Sequence, residues 1–314
     1  MKFTQIKIDI LIPTYNRENT IIEAVSSAIN QKEIIPIVHV IDNNSTDNTI
    51  KLLNSTFTKY LDKNLFIHKN NKTVSMIDNW NKSLSYVRNK YFKFLFSDDI
   101  LDSFFCYDCL RVFSNDHQIS IVTTDFKYFS SSLNYDEKTR SYNKGIQKSE
   151  NVLFKTLCSR NCVGAPSNTL LNSSLLVGQQ FIPNPIAADM IFFFNFSKDK
   201  KIAFLNKPLA KFRYSGNTVT NDLKFTSKWV IQNYEARNQL ISILNGYIKK
   251  MIAQIMTTIY CLIVLSLIKY RNINEYHVAH NYLFNKISKI YKPILLIFSL
   301  LFSVNYLRDK IIRL

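Results

Sequence analysis

Two adjacent carboxylates, Asp98 and Asp99, follow the apolar run Tyr91 to Phe96. Oxygen ligands of this kind suit Mg2+ or Mn2+, hard cations that usually also hold substrate phosphates. The competing role is structural: aspartate favours a helix N-terminus, where it meets free amides and the positive end of the helix dipole. Two more polar clusters follow apolar runs in the same way. They are Thr14-Tyr15-Asn16-Arg17 after Ile8 to Ile12, and Asp42-Asn43-Asn44-Ser45 after Ile37 to Ile41. The five glycines stand at 145, 164, 178, 216 and 246, so none falls in the first 144 residues. That excludes the glycine-rich phosphate loops of the P-loop and G-x-G-x-x-G kinds there, because both need glycine for close backbone approach. Cys106 and Cys109 have C-x-x-C spacing, and Cys158 and Cys162 form a second pair. Zinc is the functional reading of these four. The looser second spacing favours the plainer one, two positions one turn apart on a helix over Ser103 to Phe113.

The elements that must position these residues alternate along the first 125 residues. Short apolar runs at Ile8–Ile12, Ile37–Ile41, Leu65–His68 and Tyr91–Phe96 read as strands. Between them, apolar residues recur at helical spacing over Ile21–Ile29, Asn48–Tyr60 and Met76–Arg88. Such alternation predicts an α/β fold with a mostly parallel sheet covered by helices. Ligands bind such sheets outside the carboxyl ends of the strands, which is where all three polar clusters fall. From Phe126 to Thr226 the pattern is less regular. Asn134 to Glu150 reads as a long polar surface loop, Asn161 to Pro166 as a turn, Asn168 to Leu171 as a short strand, and Ala188 to about Ser197 as a helix.

With 314 residues, 46% of them hydrophobic, the chain can bury a full core. The net charge is +17, and residues 225–314 hold 12 Lys and Arg against 3 Asp and Glu. Excess positive charge suits a polyanion: nucleic acid, anionic lipid or a phosphorylated substrate. No zinc-finger, RNP or helix-turn-helix pattern accompanies it, which argues against nucleic acid. The polar opening Met1 to Gln5 and the broken first apolar run do not read as a signal peptide, so a reduced cytoplasmic location is expected. The tail reads as almost wholly helical. Met251 to Ile268 and Pro293 to Leu307 carry no charge, and Arg308, Lys310 and Arg313 follow the second run. A spanning helix needs about 20 apolar residues. Gln254, Thr257, Thr258, Cys261 and Ser266 interrupt the first run, which favours a helix packed on the catalytic domain or a second subunit, or lying in the plane of an anionic membrane face.

Five segments in order resemble the family-two glycosyltransferases. Ile12-Pro13-Thr14-Tyr15-Asn16-Arg17 is similar to their first strand and loop. Val40 to Thr49, V-I-D-N-N-S-T-D-N-T, resembles the motif commonly written V-D-D-G-S-T-D-x-T. Asn79-Trp80-Asn81 with Phe94 to Asp99 resembles the stretch leading into their metal motif. Ala188 to Phe193 resembles the segment bearing their catalytic base, and Pro208 to Arg213 the P-L-a-x-y-R that follows.

The resemblance covers about residues 6–220 and implies a GT-A fold with inverting transfer from a nucleotide sugar. It implies that Pro13, Thr14, Tyr15, Arg17, Asp42, Asn43 and Asp98 line the donor site, that Asp99 is the direct ligand of Mg2+ or Mn2+, and that Asp189 is the general base. On spacing alone, Asp189 reads more readily as a helix-terminal carboxylate than as a base. The implied division is a catalytic domain over 1–224, with a nucleotide-sugar half to about 125 and an acceptor half from 126, and a basic, apolar helical region over 225–314. The implied acceptor is a glycan, best matched by a lipid-linked oligosaccharide of O-antigen, lipopolysaccharide or capsule synthesis at the inner face of the cytoplasmic membrane. Two positions depart from the pattern. Asn43 replaces the second Asp of the nucleotide motif, and Tyr214 and Ser215 stand where a His often follows the last Arg. A sugar nucleotidyltransferase is the alternative enzyme, but its glycine-rich basic loop has no counterpart at Pro13 to Arg17.

Overall fold

A computed structural model describes residues 3–130, 135–139, 143–159, 161–184, 186–213, 226–271 and 273–286. The chain forms two compact units. One comprises Met1–Leu153 with Asn161–Ser215, the other Phe154–Arg160 with Gly216–Leu314.

The first unit is built on a ten-stranded sheet. Its strands are β1 (Lys7–Thr14), β2 (Ile35–Asp42), β3 (Leu65–Lys69), β4 (Tyr91–Phe94), β5 (Ile100–Leu101), β6 (Ile119–Ser130), β7 (Tyr135–Thr139), β8 (Gly145–Lys148), β9 (Thr169–Asn172) and β10 (Lys201–Arg213). The order is β3-β2-β1-β4-β9-β6-β10-β5, with β7 added to β6 and β8 to β10. β1 to β4 pair in parallel, as do β6 and β10, while β9 runs antiparallel between β4 and β6. The long strands therefore share one direction, and the fold is α/β as expected. β1 is buried from Ile8 to Thr14, which is why a continuous apolar run marks it rather than an alternating one.

Helices α1 (Ile21–Ile29), α2 (Thr49–Thr56), α3 (Met76–Leu84), α4 (Phe105–Phe113), α5 (Ser149–Cys158) and α6 (Ala188–Phe196) complete this part of the chain. Ile21, Ala24, Val25 and Ala28 of α1 pack with Ile8, Ile10 and Ile12 of β1 in the main core. Cys106 and Cys109 lie one turn apart on the buried side of α4, as the helical reading expects, and burial raises both thiols, Cys106 to about 12.

Three expectations need correction. Asn134 to Glu150 is not one loop: β7 pairs with β6, β8 pairs with β10, and α5 begins at Ser149. Strands held by backbone ladders at a sheet margin need no apolar period, and β8 is largely exposed. α3 stops at Leu84, short of Arg88. Buried Asp9 accepts the Arg88 and Asn89 amides at 2.7 Å each, and this draws the chain out of the helix. α2 likewise ends at Thr56 instead of Tyr60.

The second unit contains α7 (Ser227–Ile243), α8 (Tyr247–Arg271) and α9 (Ile273–Lys286). Cys261, Leu262, Val264, Leu265 and Ile268 of α8 pack with Val230 and Tyr234 of α7 and with Ala279 and Leu283 of α9. Thr257 and Thr258 are buried, so part of the weakly polar stripe of α8 points into the unit. By length and composition alone, Tyr247–Leu265 is long and apolar enough to cross a membrane. Arg237, almost fully buried, donates to the carbonyls of Thr156, Leu157 and Ser159 at 3.1, 3.0 and 2.9 Å. It thereby closes the C-terminal end of α5, where backbone acceptors are unpaired and the helix dipole is negative. The run Pro293 to Leu307 and the basic residues after it lie outside the described residues.

Candidate active site

The carboxyl ends of β1, β2 and β4 lie side by side. Thr14 is in register with Asp42, and Leu11 with Phe94. The loops after β1 and β2 are fastened to each other. The Asn43 amide donates to the Thr14 carbonyl at 2.8 Å, the Asn16 amide to Ser45 Oγ at 2.9 Å, and the Arg17 amide to Thr49 Oγ1 at 2.8 Å. In return the Thr46 amide donates to Asn16 Oδ1 at 2.9 Å and the Asn48 amide to Glu18 Oε2 at 3.0 Å. The turns require left-handed backbone, with φ of 50° at Asn16 and 62° at Asn44. Asparagine tolerates that region better than other residues with a Cβ. Asn44 thus does the work of the glycine in the V-D-D-G-S pattern, which explains how these loops form without glycine.

Asp42 and Asn43 are both buried, and their side chains are committed to the protein. Asp42 accepts the Ser45 amide at 3.0 Å and the Ser45 hydroxyl at 2.5 Å. Asn43 grips the Val74 peptide at two points. Its Nδ2 donates to the Val74 carbonyl and its Oδ1 accepts the Val74 amide, both at 2.9 Å. Asn70 Nδ2 bridges Asn43 Oδ1 and Asn79 Oδ1 at 3.0 Å each, and Lys82 Nζ donates to Asn70 Oδ1 at 2.6 Å. Thr14 Oγ1 is buried with no hydrogen-bond partner among the described residues. Pro13 is buried beside it, whereas Tyr15 and Arg17 are exposed.

Asp98 is half-buried and Asp99 buried in the turn after β4. The turn is tied down from two sides. Thr20 Oγ1 donates to the Ser97 carbonyl at 2.9 Å, and Arg213 Nε to the Asp98 carbonyl at 3.2 Å. Arg213 also forms an ion pair with Glu23 at 2.7 Å, and its amide donates to Asp99 Oδ1 at 3.3 Å. Burial, then the neighbouring Asp98, raises the pKa of Asp99. Two like charges in a partly dry site favour a cation between them. Among the described residues no three His, Cys, Asp or Glu side chains gather into a metal-binding group. Mg2+ characteristically binds through one or two carboxylates, substrate phosphates and water, and this donor set fits that pattern.

Asp189 sits in the first turn of α6, half-buried, with the Met190 amide donating to its Oδ1 at 2.7 Å. Burial pushes its carboxyl up to about 6. An aromatic wall connects α6 with β4. Phe192 stacks on Phe181 at 4.2 Å, and Phe181 meets Phe94 edge-on at 5.4 Å and Trp80 at 5.2 Å. Trp80 in turn stacks on Phe96 at 5.0 Å, two residues ahead of Asp98. Asn81 fixes the loop leading to α6, donating to the Phe181 carbonyl at 2.9 Å and accepting its amide at 2.7 Å. The motif reading did not single out Asn70. Asn70 follows β3 at the same sheet edge as Asp42, a position that could have flagged it.

A family model described as Glycosyl transferase family 2 matches residues 9–176. The chain belongs to glycosyl transferase family 2. This family 2 glycosyltransferase is 27% identical over 155 residues to chondroitin synthase from Escherichia coli, a match covering 48% of this chain and 21% of that protein. The chain therefore spans only a small part of such relatives. Staphylococcus aureus TarS 1–349 in complex with UDP-GlcNAc superimposes with a TM-score of 0.63 at 16% identity, covering 92% of this chain and 78% of that one. The mannosyltransferase PcManGT from Pyrobaculum calidifontis, solved with GDP-Man and Mn2+, gives 0.55 at 13% identity, covering 96% and 82%. These likenesses establish a GT-A-like fold.

Proposed function

We propose that the chain is an inverting glycosyltransferase that moves a sugar from a nucleotide-sugar donor to an acceptor hydroxyl. The observation that carries this reading is the pair of carboxylate sites, Asp98-Asp99 at the end of β4 and Asp189 on α6, joined by the Phe94–Phe181–Phe192 wall. Inverting displacement needs one carboxylate near the attacking hydroxyl and positive charge near the leaving phosphate.

The donor lies against the fastened loops after β1 and β2. Asp42 and Asn43 shape these loops from within, Pro13 and Thr14 line them from a buried position, and Tyr15 and Arg17 form their exposed part. The unpartnered Thr14 hydroxyl supports a hydrogen-bonding role there. Asp99, with Asp98 beside it, would hold Mg2+ or Mn2+, which when bound supplies positive charge at the departing diphosphate. Asp189 takes the acceptor proton, and its raised pKa brings a carboxylate closer to the strength a general base needs near neutral pH. Residues 1–224 serve as the catalytic domain, donor side to about 125 and acceptor side beyond it. Residues 225–314 are the basic, apolar C-terminal region, whose described helices are α7, α8 and α9. The acceptor is a glycan, with a lipid-linked oligosaccharide of O-antigen, lipopolysaccharide or capsule assembly as the preferred class. The basic extension supports a cytoplasmic enzyme working at the anionic inner face of the membrane, or associating through its helices.

A panel of nucleotide sugars titrated into the protein tests the donor assignment. Binding of at least one, in wild type and in Asp189→Asn, with release of nucleoside diphosphate only by wild type, is the expected result. No binding across the panel, or release of pyrophosphate, contradicts it.

A further inference from the structure

The start of α8 presents apolar side chains to solvent. Leu244, just after α7, is buried, and Gly246 turns the chain with φ of 84°. The first two turns of α8 then leave Tyr247 81% and Ile248 67% exposed, with Met251 and Ile252 exposed behind them. Tyr247 stands four residues from Met251, and Ile248 four from Ile252, so the four form one continuous strip along the helix. Further along, Ala253, Thr257, Thr258 and Cys261 are buried. The later turns of α8 thus pack into its unit, while its first turns turn an apolar strip outward. A contiguous group of exposed apolar side chains marks a contact surface.

Charge around the strip decides what it can meet. Lys249 and Lys250 fall between the two apolar pairs, Lys249 exposed and Lys250 half-buried. Between Arg237 and Glu275 the sequence holds Lys249, Lys250, Lys269 and Arg271 and no acidic residue. Apolar groups interleaved with lysines suit an anionic lipid surface. The apolar groups enter the acyl boundary, and the ammonium groups stay with the headgroups. Tyr247 adds an aromatic ring with a polar tip, a side chain favoured at that boundary. A second copy of the chain fits worse. A two-fold contact through this strip would bring each lysine pair against its counterpart, and a net charge of +17 on each copy adds to the repulsion. Nucleic acid would engage the lysines and leave the apolar strip in water.

We propose that Tyr247 to Ile252 is the face by which the chain docks on an anionic lipid bilayer, with Tyr247, Ile248, Met251 and Ile252 entering between the headgroups. The inference rests on the reading of the chain as an enzyme of an anionic membrane face and names the residues that make the contact.

The test sediments the full-length protein with vesicles of phosphatidylcholine alone and of a phosphatidylcholine–phosphatidylglycerol mixture. Wild type should bind the mixture and leave it at high salt. Ile248→Gln combined with Ile252→Gln should bind at least about 10-fold more weakly. Lys249→Gln combined with Lys250→Gln should lose about fivefold per lysine at low salt. Nucleotide-sugar binding should be unchanged in both. Should a glutamine variant misfold, Tyr247→Trp decides instead: brominated acyl chains in the anionic vesicles should quench its emission beyond that of wild type, and no added quenching overturns the proposal. Wild type that binds the mixture while both double variants bind equally well overturns this face and leaves the membrane reading standing. Wild type that binds neither vesicle overturns both. Wild type that is dimeric without lipid by light scattering, with the Ile248→Gln and Ile252→Gln protein monomeric, assigns the strip to a second copy and overturns the proposal.

Discussion

Restoring the family's usual acid at position 43 should harm this chain. Asn43 is 5% exposed, and its amide group matches the Val74 peptide donor to acceptor and acceptor to donor, at 2.9 Å each. An aspartate there keeps the acceptor and loses the donor. The Val74 carbonyl is then left facing a carboxylate oxygen instead of an N–H. A buried polar group stripped of its partner costs about 1–3 kcal/mol. Repulsion between carboxylate and carbonyl oxygens adds to that. With roughly 2–4 °C of melting temperature for each kcal/mol in a domain of this size, Asn43→Asp should melt about 4–8 °C below wild type at the middle of the range. Asn43→Ala, which leaves the Val74 amide and carbonyl without their partner but adds no repulsion, should also melt below wild type. Differential scanning calorimetry of the three proteins at pH 7 reads the effect. An Asn43→Asp protein melting at or above the wild-type temperature refutes the claim that the two-point grip on Val74 holds this loop.

Two other outcomes follow from buried charge. Asp189 must be ionised to take a proton, and burial raises its pKa from 3.8 to about 6; kcat/KM should therefore fall about tenfold per unit below pH 6, with Asp189→Asn slower by about 10²–10⁴-fold. Because the folded state binds this proton more tightly than the unfolded chain, the group's effect on stability worsens as pH rises from about 4 to 6, so urea melts at pH 7 should show Asp189→Asn more stable by up to about 3 kcal/mol; a variant no more stable than wild type contradicts the shift. Arg237→Met should destabilise the chain by on the order of 3 kcal/mol, since three backbone carbonyls at the end of α5 lose their donors; a change below about 0.5 kcal/mol in urea unfolding would show that water replaces the guanidinium.

The N-terminal half of the sheet was legible because parallel strands covered on both faces read as uninterrupted apolar runs. Each run breaks at the polar residue that meets the ligand edge, so Thr14, Asp42 and Asp98 could be found from strand ends alone. β6 and β10 were harder. β10 carries Asn206-Lys207-Pro208 within it, and its register with β6 shifts between Leu205 and Pro208, so no simple period survives. β7 and β8 read as loop because an edge ladder is made by backbone groups. Side-chain partnerships were least visible. The Asn43–Val74 grip and the Asn81–Phe181 pair join residues 31 and 100 positions apart, and nothing local requires either. The motif order pointed to Asp189, but only the structure showed its half-buried carboxyl taking the Met190 amide in the first turn of α6.

The central claim is one-step inverting transfer, and the anomeric configuration of the product tests it most directly. A donor identified by nucleoside diphosphate release would be turned over with its acceptor and the new linkage read by proton NMR from the anomeric coupling constant. The account predicts a linkage of opposite configuration to the donor sugar, formed by wild type and lost in Asp189→Asn. A retained configuration, or an inverted one formed at the wild-type rate by Asp189→Asn, would contradict it.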